Sequence, residues 1–189
     1  MRPILLAMLC LSIVTACKED DLAKGPAPVK MTPEALGHYC QMNLTEHPGP
    51  KAQIHLEGLP APIYFAQVRD AIAYQKMPEQ SHAISAFYVN DMAVAPSWEA
   101  PGDDNWIAAS AVQFVVGSDM VGGMGAPEVV PFSSGSAAQA FADIHGGQVL
   151  ELGQIADAHV LAPEESEPSA VDDQDFIDRL SRMSNERNG

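Results

Sequence analysis

APIYFAQVRDAIAYQ, residues 61–75, is answered further along the chain by APEVVPFSSGSAAQAFADIH, residues 126–145. Each stretch opens on Ala-Pro, passes through a short β-branched and aromatic run, and continues into apolar residues at helical spacing. In the first, Phe65, Val68, Ala71 and Ile72 recur with the helical period. In the second, Ser133 is placed to cap a helix, Ala137, Ala140, Phe141 and Ile144 form its apolar face, and Gly146 stops it. Strand candidates surround both: Ala52–Leu56 and Ile84–Val89 around the first, Ile107–Val116, Val129–Phe132 and Gln148–Leu152 around the second. The order strands, helix, strand therefore occurs twice, which predicts an α+β fold made by internal duplication, with modules over residues 33–96 and 97–161. A unit of about 60 residues has marginal burial alone, so the two are expected to pack together and bring their loops near one another.

The N-terminus predicts the compartment. Arg2 and the apolar run Ile4–Val14, broken only by Ser12, read as a signal peptide over residues 1–16. A spanning helix needs about 20 apolar residues, so this run is too short for a permanent anchor. The small residues directly before Cys17 look like a bacterial lipobox, which predicts cleavage there and acylation of Cys17. The mature chain is then expected to hang from its Cys17 lipid on the periplasmic side of a bacterial membrane, on a flexible, charged, Pro-containing spacer over residues 17–32. Residues 162–189 are acidic and polar and are expected to be disordered. The formal charge of -15 excludes nucleic acid as a ligand, because phosphate binding needs basic surface.

Cysteine usage then narrows the chemistry. Of Cys10, Cys17 and Cys40, the first leaves with the signal peptide and the second carries lipid, so Cys40 is the one thiol expected to remain. An unpaired cysteine in an oxidising compartment points to intermolecular pairing, a reactive thiol or a metal ligand. Its setting is HYCQMNLTEHPGPKAQI, residues 38–54. In an extended segment Cys40 and Met42 would share one side, since strand side chains alternate. Thiolate with thioether is a soft donor pair that suits Cu(I) far better than Mg²⁺, Ca²⁺ or Mn²⁺. Neither CxxC nor HxxxH is present to suggest zinc. A second soft cluster, Met120 and Met124, lies in FVVGSDMVGGMGAPEVVPF, residues 114–132, where glycines leave little side chain for a methionine to pack against. His38 is a further candidate donor; His47, His55, His82, His145 and His159 read as surface or hydrogen-bonded side chains. On residue chemistry alone three readings stay open: a soft-metal carrier, a thiol-dependent enzyme using Cys40 beside His38 or His47, and a structural lipoprotein with a buried cysteine.

HYCQMNLTEHPGPKAQI together with GGMGAPEVVPF, on a small exported lipoprotein, resembles the NosL family over roughly residues 33–161. That family comprises the copper-binding accessory lipoproteins of nitrous oxide reductase. The resemblance implies two related ββαβ modules and no enzymatic activity. It implies Cu(I) held by Cys40 and Met42 with a methionine of the glycine-rich segment, where Met124 matches GGMG better than Met120 does. It implies as partners nitrous oxide reductase and the membrane transporter complex that serves it. The position between Cys and Met, commonly glycine in that family, is Gln41 here, a departure that bears on loop geometry rather than on ligand identity.

Overall fold

The computed structural model describes residues 25–78 and 80–161. The signal peptide, Cys17 and the acidic tail lie outside these residues. Strand β1 (Ala52–Leu56) is buried along its whole length. Its alternation sends Ala52, Ile54 and Leu56 into the main core and leaves Gln53 and His55 on the opposite face. β1 pairs antiparallel with β2 (Ile63–Phe65) on one side and β3 (Ile84–Asn90) on the other, with Ile54 opposite both Ile63 and Phe87. Between β2 and β3 runs helix α1 (Val68–Lys76), which buries Val68, Ala71 and Ile72 against this sheet. Phe65, expected on the helix, belongs instead to β2.

The second half repeats the scheme. β5 (Gln113–Val116) lies between β6 (Val130–Phe132) and β7 (Gln148–Glu151), both antiparallel to it, and α2 (Gly135–His145) connects β6 to β7. One further strand, β4 (Trp106–Ala108), precedes them, and the strand orders are β2-β1-β3-β4 and β6-β5-β7. In both halves the first strand is central, and the helix joins the second strand to the third, as an α+β duplication requires. β5 serves two cores because of its alternation. Phe114 and Val116 join the residues of β1, β2 and α1, while Val115 turns to a smaller cluster with Val130, Phe132, Ala138 and Ala142. The halves are thus joined through one shared core.

Four further expectations need correction. The strand expected over Ile107–Val116 is two strands: β4 joins β3 of the first sheet, a 3-10 turn at Ala109–Ala111 breaks the run, and β5 starts the second sheet. The cap of α2 is Ser134, whose side chain accepts from the Ala137 N–H, rather than Ser133. The buried stripe of α2 is Ala138 and Ala142, flanked by Ala137 and Phe141, while Ile144 is 77% exposed. A small-residue stripe lets the helix lie close against Val115 and Val130, and that packing outweighs the apolarity of one isoleucine. Gly146, at φ 73°, stops the helix as expected.

The fourth correction concerns the spacer. From Gly25 onward it is strapped across the outer face of the first sheet. The buried Gln53 side chain takes both backbone groups of Val29, accepting from its N–H at 2.8 Å and donating to its carbonyl at 2.9 Å. The Tyr88 hydroxyl donates to the Pro26 carbonyl at 2.8 Å, and the Met31 N–H to the Asp103 carbonyl at 2.8 Å. Polar side chains on the sheet's outer face supply a hold that composition does not reveal.

Candidate metal site

Cys40 sits in a closed loop. Leu36 and Asn43 form an antiparallel bridge, the Gly37 N–H donates to the Met42 carbonyl at 3.0 Å, and the Gln41 N–H donates to the Gly37 carbonyl at 2.9 Å. The expected extended segment, with Cys40 and Met42 on one side of a strand, is therefore absent. Local side-chain bonds favour the loop. Asn43 donates to the Pro33 carbonyl at 2.6 Å and caps the 3-10 turn Leu44–Glu46 by accepting from the Thr45 N–H at 2.9 Å. The loop is fixed to the sheet by the His38 N–H, which donates to the Tyr64 carbonyl at 2.6 Å. Cys40 is a free, half-buried thiol against Met31, Leu44 and Ala66, and its Sγ lies so close over Gly37 that a Cβ there would stand 2.5 Å away. Met42 is 41% exposed.

The glycine-rich segment is a second tight turn. Val121 bridges Pro127, the Gly122 N–H donates to the Ala126 carbonyl at 2.8 Å, and the Gly125 N–H donates to the Gly122 carbonyl at 3.0 Å. Met124 stands in this turn, 40% exposed, while Met120 is half-buried at its start. Gly125, at φ 86°, closes the turn as glycine allows. The turn rests on the segment that follows the CxM loop. His47 Nδ1 bonds the Gly123 carbonyl at 2.9 Å, and a Cβ on Gly123 would lie 2.5 Å from His47 Cβ and 3.0 Å from the Pro48 carbonyl oxygen. A carbonyl only accepts, so Nδ1 is the donor here; Nε2 is buried without a partner among the described residues.

Cys40 and Met42 thus share one loop, and Met124 lies on a second that docks through His47 onto the end of the first motif. The docking contact is the bond between His47 Nδ1 and the Gly123 carbonyl. His38 is placed differently: its ring meets Tyr39, Phe65 and Tyr74 with centroids 5.3–5.6 Å apart, beside a cavity of 160 Å³ also lined by Met77 and Gln80. Among the described residues no group of three or more His, Cys, Asp and Glu is placed to hold a metal ion. The thioethers of Met42 and Met124 are soft donors, of the kind that suits a soft ion.

Beneath the two loops lies a buried polar floor that the sequence reading did not single out. Lys51 is 1% exposed and donates from Nζ to the Pro48 carbonyl at 3.0 Å and to the Gly49 carbonyl. Glu128, also 1% exposed, reaches from the second half to the start of α1. There its Oε1 accepts from the Arg69 N–H at 3.1 Å and from the Val129 N–H at 2.9 Å. Gln67, the N-cap residue of α1, makes no side-chain cap bond, so Glu128 supplies the cap from across the molecule. Gln67 Nε2 instead donates to the Ala126 carbonyl of the glycine-rich turn at 3.2 Å. Burial pushes the Glu128 carboxyl up to about 8, against the pull of its two backbone donors and of Lys51. Burial also brings Lys51 down to about 8, with the Glu128 charge opposing. The only signal in the sequence is a charge in each otherwise apolar context, Lys51 before AQIHL and Glu128 in APEVVPF.

With this geometry in hand, comparison with known proteins is specific. The NosL family model matches residues 28–160. The copper-binding lipoprotein NosL of Achromobacter cycloclastes is 59% identical over 181 residues, covering 94% of this chain and 93% of that protein. The copper-binding lipoprotein NosL of Stutzerimonas stutzeri is 32% identical over 156 residues, covering 82% and 80%. Among solved structures, the copper chaperone NosL from Shewanella denitrificans superposes with a TM-score of 0.65 at 32% identity, covering 71% of this chain and 98% of that one. These relatives are named as copper-binding lipoproteins and a copper chaperone, not as enzymes.

Proposed function

Because the chain belongs to the NosL family, we propose that it is a membrane-tethered copper chaperone that carries Cu(I) on Cys40, Met42 and Met124. The observation that carries this reading is the placement of two exposed methionines, Met42 on the CxM loop and Met124 on a turn that the His47–Gly123 bond docks onto the segment following that loop, with the Cys40 thiol half-buried in the loop. A free thiol and solvent-facing thioethers on fixed loops form a donor set of the right softness for Cu(I). His38 and Met120 are the reserve donors. Cu(I) is cargo here. Low coordination by sulfur leaves it open to a recipient's thiolate or imidazole, which adds before the donor's ligands leave, so no free ion is released. Only the deprotonated thiol coordinates, so loading releases a proton and weakens at low pH.

The recipient in this proposal is nitrous oxide reductase during assembly of its copper centre, reached with the membrane transporter complex that serves it. The acyl anchor at Cys17 holds the chain on the periplasmic side. Among the described residues no helix is long and apolar enough to cross a membrane.

Competition titration of the reduced protein with a Cu(I) chelator tests the site. Cys40→Ser should nearly abolish binding, Met42→Leu and Met124→Leu should each weaken it, and Met120→Leu should not. Alkylation of Cys40 separates the other readings: copper protects a ligand, a catalytic thiol reacts with or without copper, and an inert buried thiol reacts in neither case. Equal affinity for Zn²⁺ and Cu(I), or full Cu(I) affinity in Cys40→Ser, would overturn the proposal.

A further inference from the structure

The residue between the two donors of the CxM loop, Gln41, has φ 55°, and among the described residues it is the one non-glycine with positive φ. L side chains disfavour this region, which glycine enters freely. The structure shows what offsets the strain. The Gln41 side-chain amide donates from Nε2 to the His38 carbonyl at 2.7 Å and to the Gly37 carbonyl at 3.2 Å. Its backbone N–H also reaches the Gly37 carbonyl, at 2.9 Å. One residue therefore ties both carbonyls that precede the Tyr39-Cys40 pair, while the Gly37 N–H closes the ring on Met42 at 3.0 Å.

We propose that Gln41 is a positioning residue that fastens the Cys40–Met42 loop in its closed shape before metal arrives. This rests on the reading of Cys40 and Met42 as donors. Glycine at this position would adopt the same φ without strain, but it would lack the amide that locks it. Gln41 exchanges conformational ease for a side-chain clasp, so the loop is pre-organised and less of the binding free energy goes into ordering it. Outer residues that orient metal ligands commonly change affinity by about 10- to 100-fold when removed. Gln41 belongs to this class because its side chain bonds the loop backbone.

The test uses the whole reduced chain and three variants. Gln41→Ala keeps the strained φ and removes the clasp, Gln41→Gly removes both, and Cys40→Ser checks the donor reading itself. Amide hydrogen exchange at Gly37 and Gln41, whose N–H groups close the loop, is read without metal, and Cu(I) affinity is read by chelator competition. Gln41→Ala should accelerate exchange at both amides and weaken Cu(I) binding about tenfold. Gln41→Gly should accelerate exchange as well, with a smaller loss of affinity because the strain has gone. Unchanged exchange in Gln41→Ala, or faster exchange with unchanged Cu(I) affinity, would overturn the proposal while Cys40→Ser still loses copper. Retention of copper by Cys40→Ser would overturn the donor reading, and the positioning role with it.

Discussion

Replacing Glu128 by glutamine should make the protein more stable near pH 8 and leave it nearly unchanged near pH 5. The carboxyl is buried, and its folded value is raised from 4.5 to about 8. The folded state keeps a proton that the unfolded chain has released across that window. The contribution of this group is therefore fully present below 4.5 and is lost as pH rises to about 8. At 1.36 kcal/mol per pH unit, the loss is at most about 5 kcal/mol. Lys51 has the opposite slope. Its folded value is lowered from 10.5 to about 8, so stability recovers as pH rises through that upper window. The pair together should produce a minimum in stability near pH 8. The amide in Glu128→Gln retains an oxygen to accept from the Arg69 and Val129 N–H groups, so the cap on α1 survives. Lys51 loses an attractive charge, which takes back part of the gain. Urea unfolding of metal-free native chain and variant from pH 5 to 9, followed by tryptophan fluorescence, to which Trp98 packed on Gly49 contributes, reads the difference. Since His55 titrates in both proteins, it cancels. A gain of the variant over native that does not grow from pH 5 to 8, or a variant less stable than native at pH 8, would refute the reasoning.

Gly123→Ala would drive a Cβ to 2.5 Å from His47 Cβ, so the glycine-rich turn must lift; a cost of about 1–3 kcal/mol by urea unfolding and a weaker Cu(I) site are expected. Gln53→Ala removes both bonds to Val29, and the Val29 amide should then exchange at nearly the rate of an unprotected one, with a loss of about 1–3 kcal/mol. Slow exchange at Val29 in that variant would mean that Tyr88 and the Met31–Asp103 bond hold the strap by themselves. On α2, Ile144→Ser should change stability by less than about 0.5 kcal/mol because the side chain faces solvent. Ala138→Leu should cost about 1–3 kcal/mol by overpacking against Val115 and Val130. The reverse ranking would restore the apolar face read from the sequence.

The sequence by itself determined the features that follow from local period and local chemistry. Ala52–Leu56 alternates and is a strand, the repeated Ala-Pro units lead into two helices, and Gly146 ends the second. Such signals need only neighbours within a few residues, so they survive without the fold. The tertiary structure decided whatever depends on partners far along the chain. Ile107–Val116 divides because β3 captures Trp106–Ala108 while β6 and β7 capture Gln113–Val116. The face of α2 is chosen by Val115 and Val130, which favour a close alanine stripe over Ile144. The CxM segment closes because the His38 N–H bonds Tyr64 and Asn43 bonds Pro33, contacts that alternation cannot foretell. Lys51 and Glu128 are single charges in apolar stretches of the sequence, and the fold buries both. Burial is a property of the assembled fold, and their perturbed acidities, like the His47 latch on Gly123, exist only once the two halves have met.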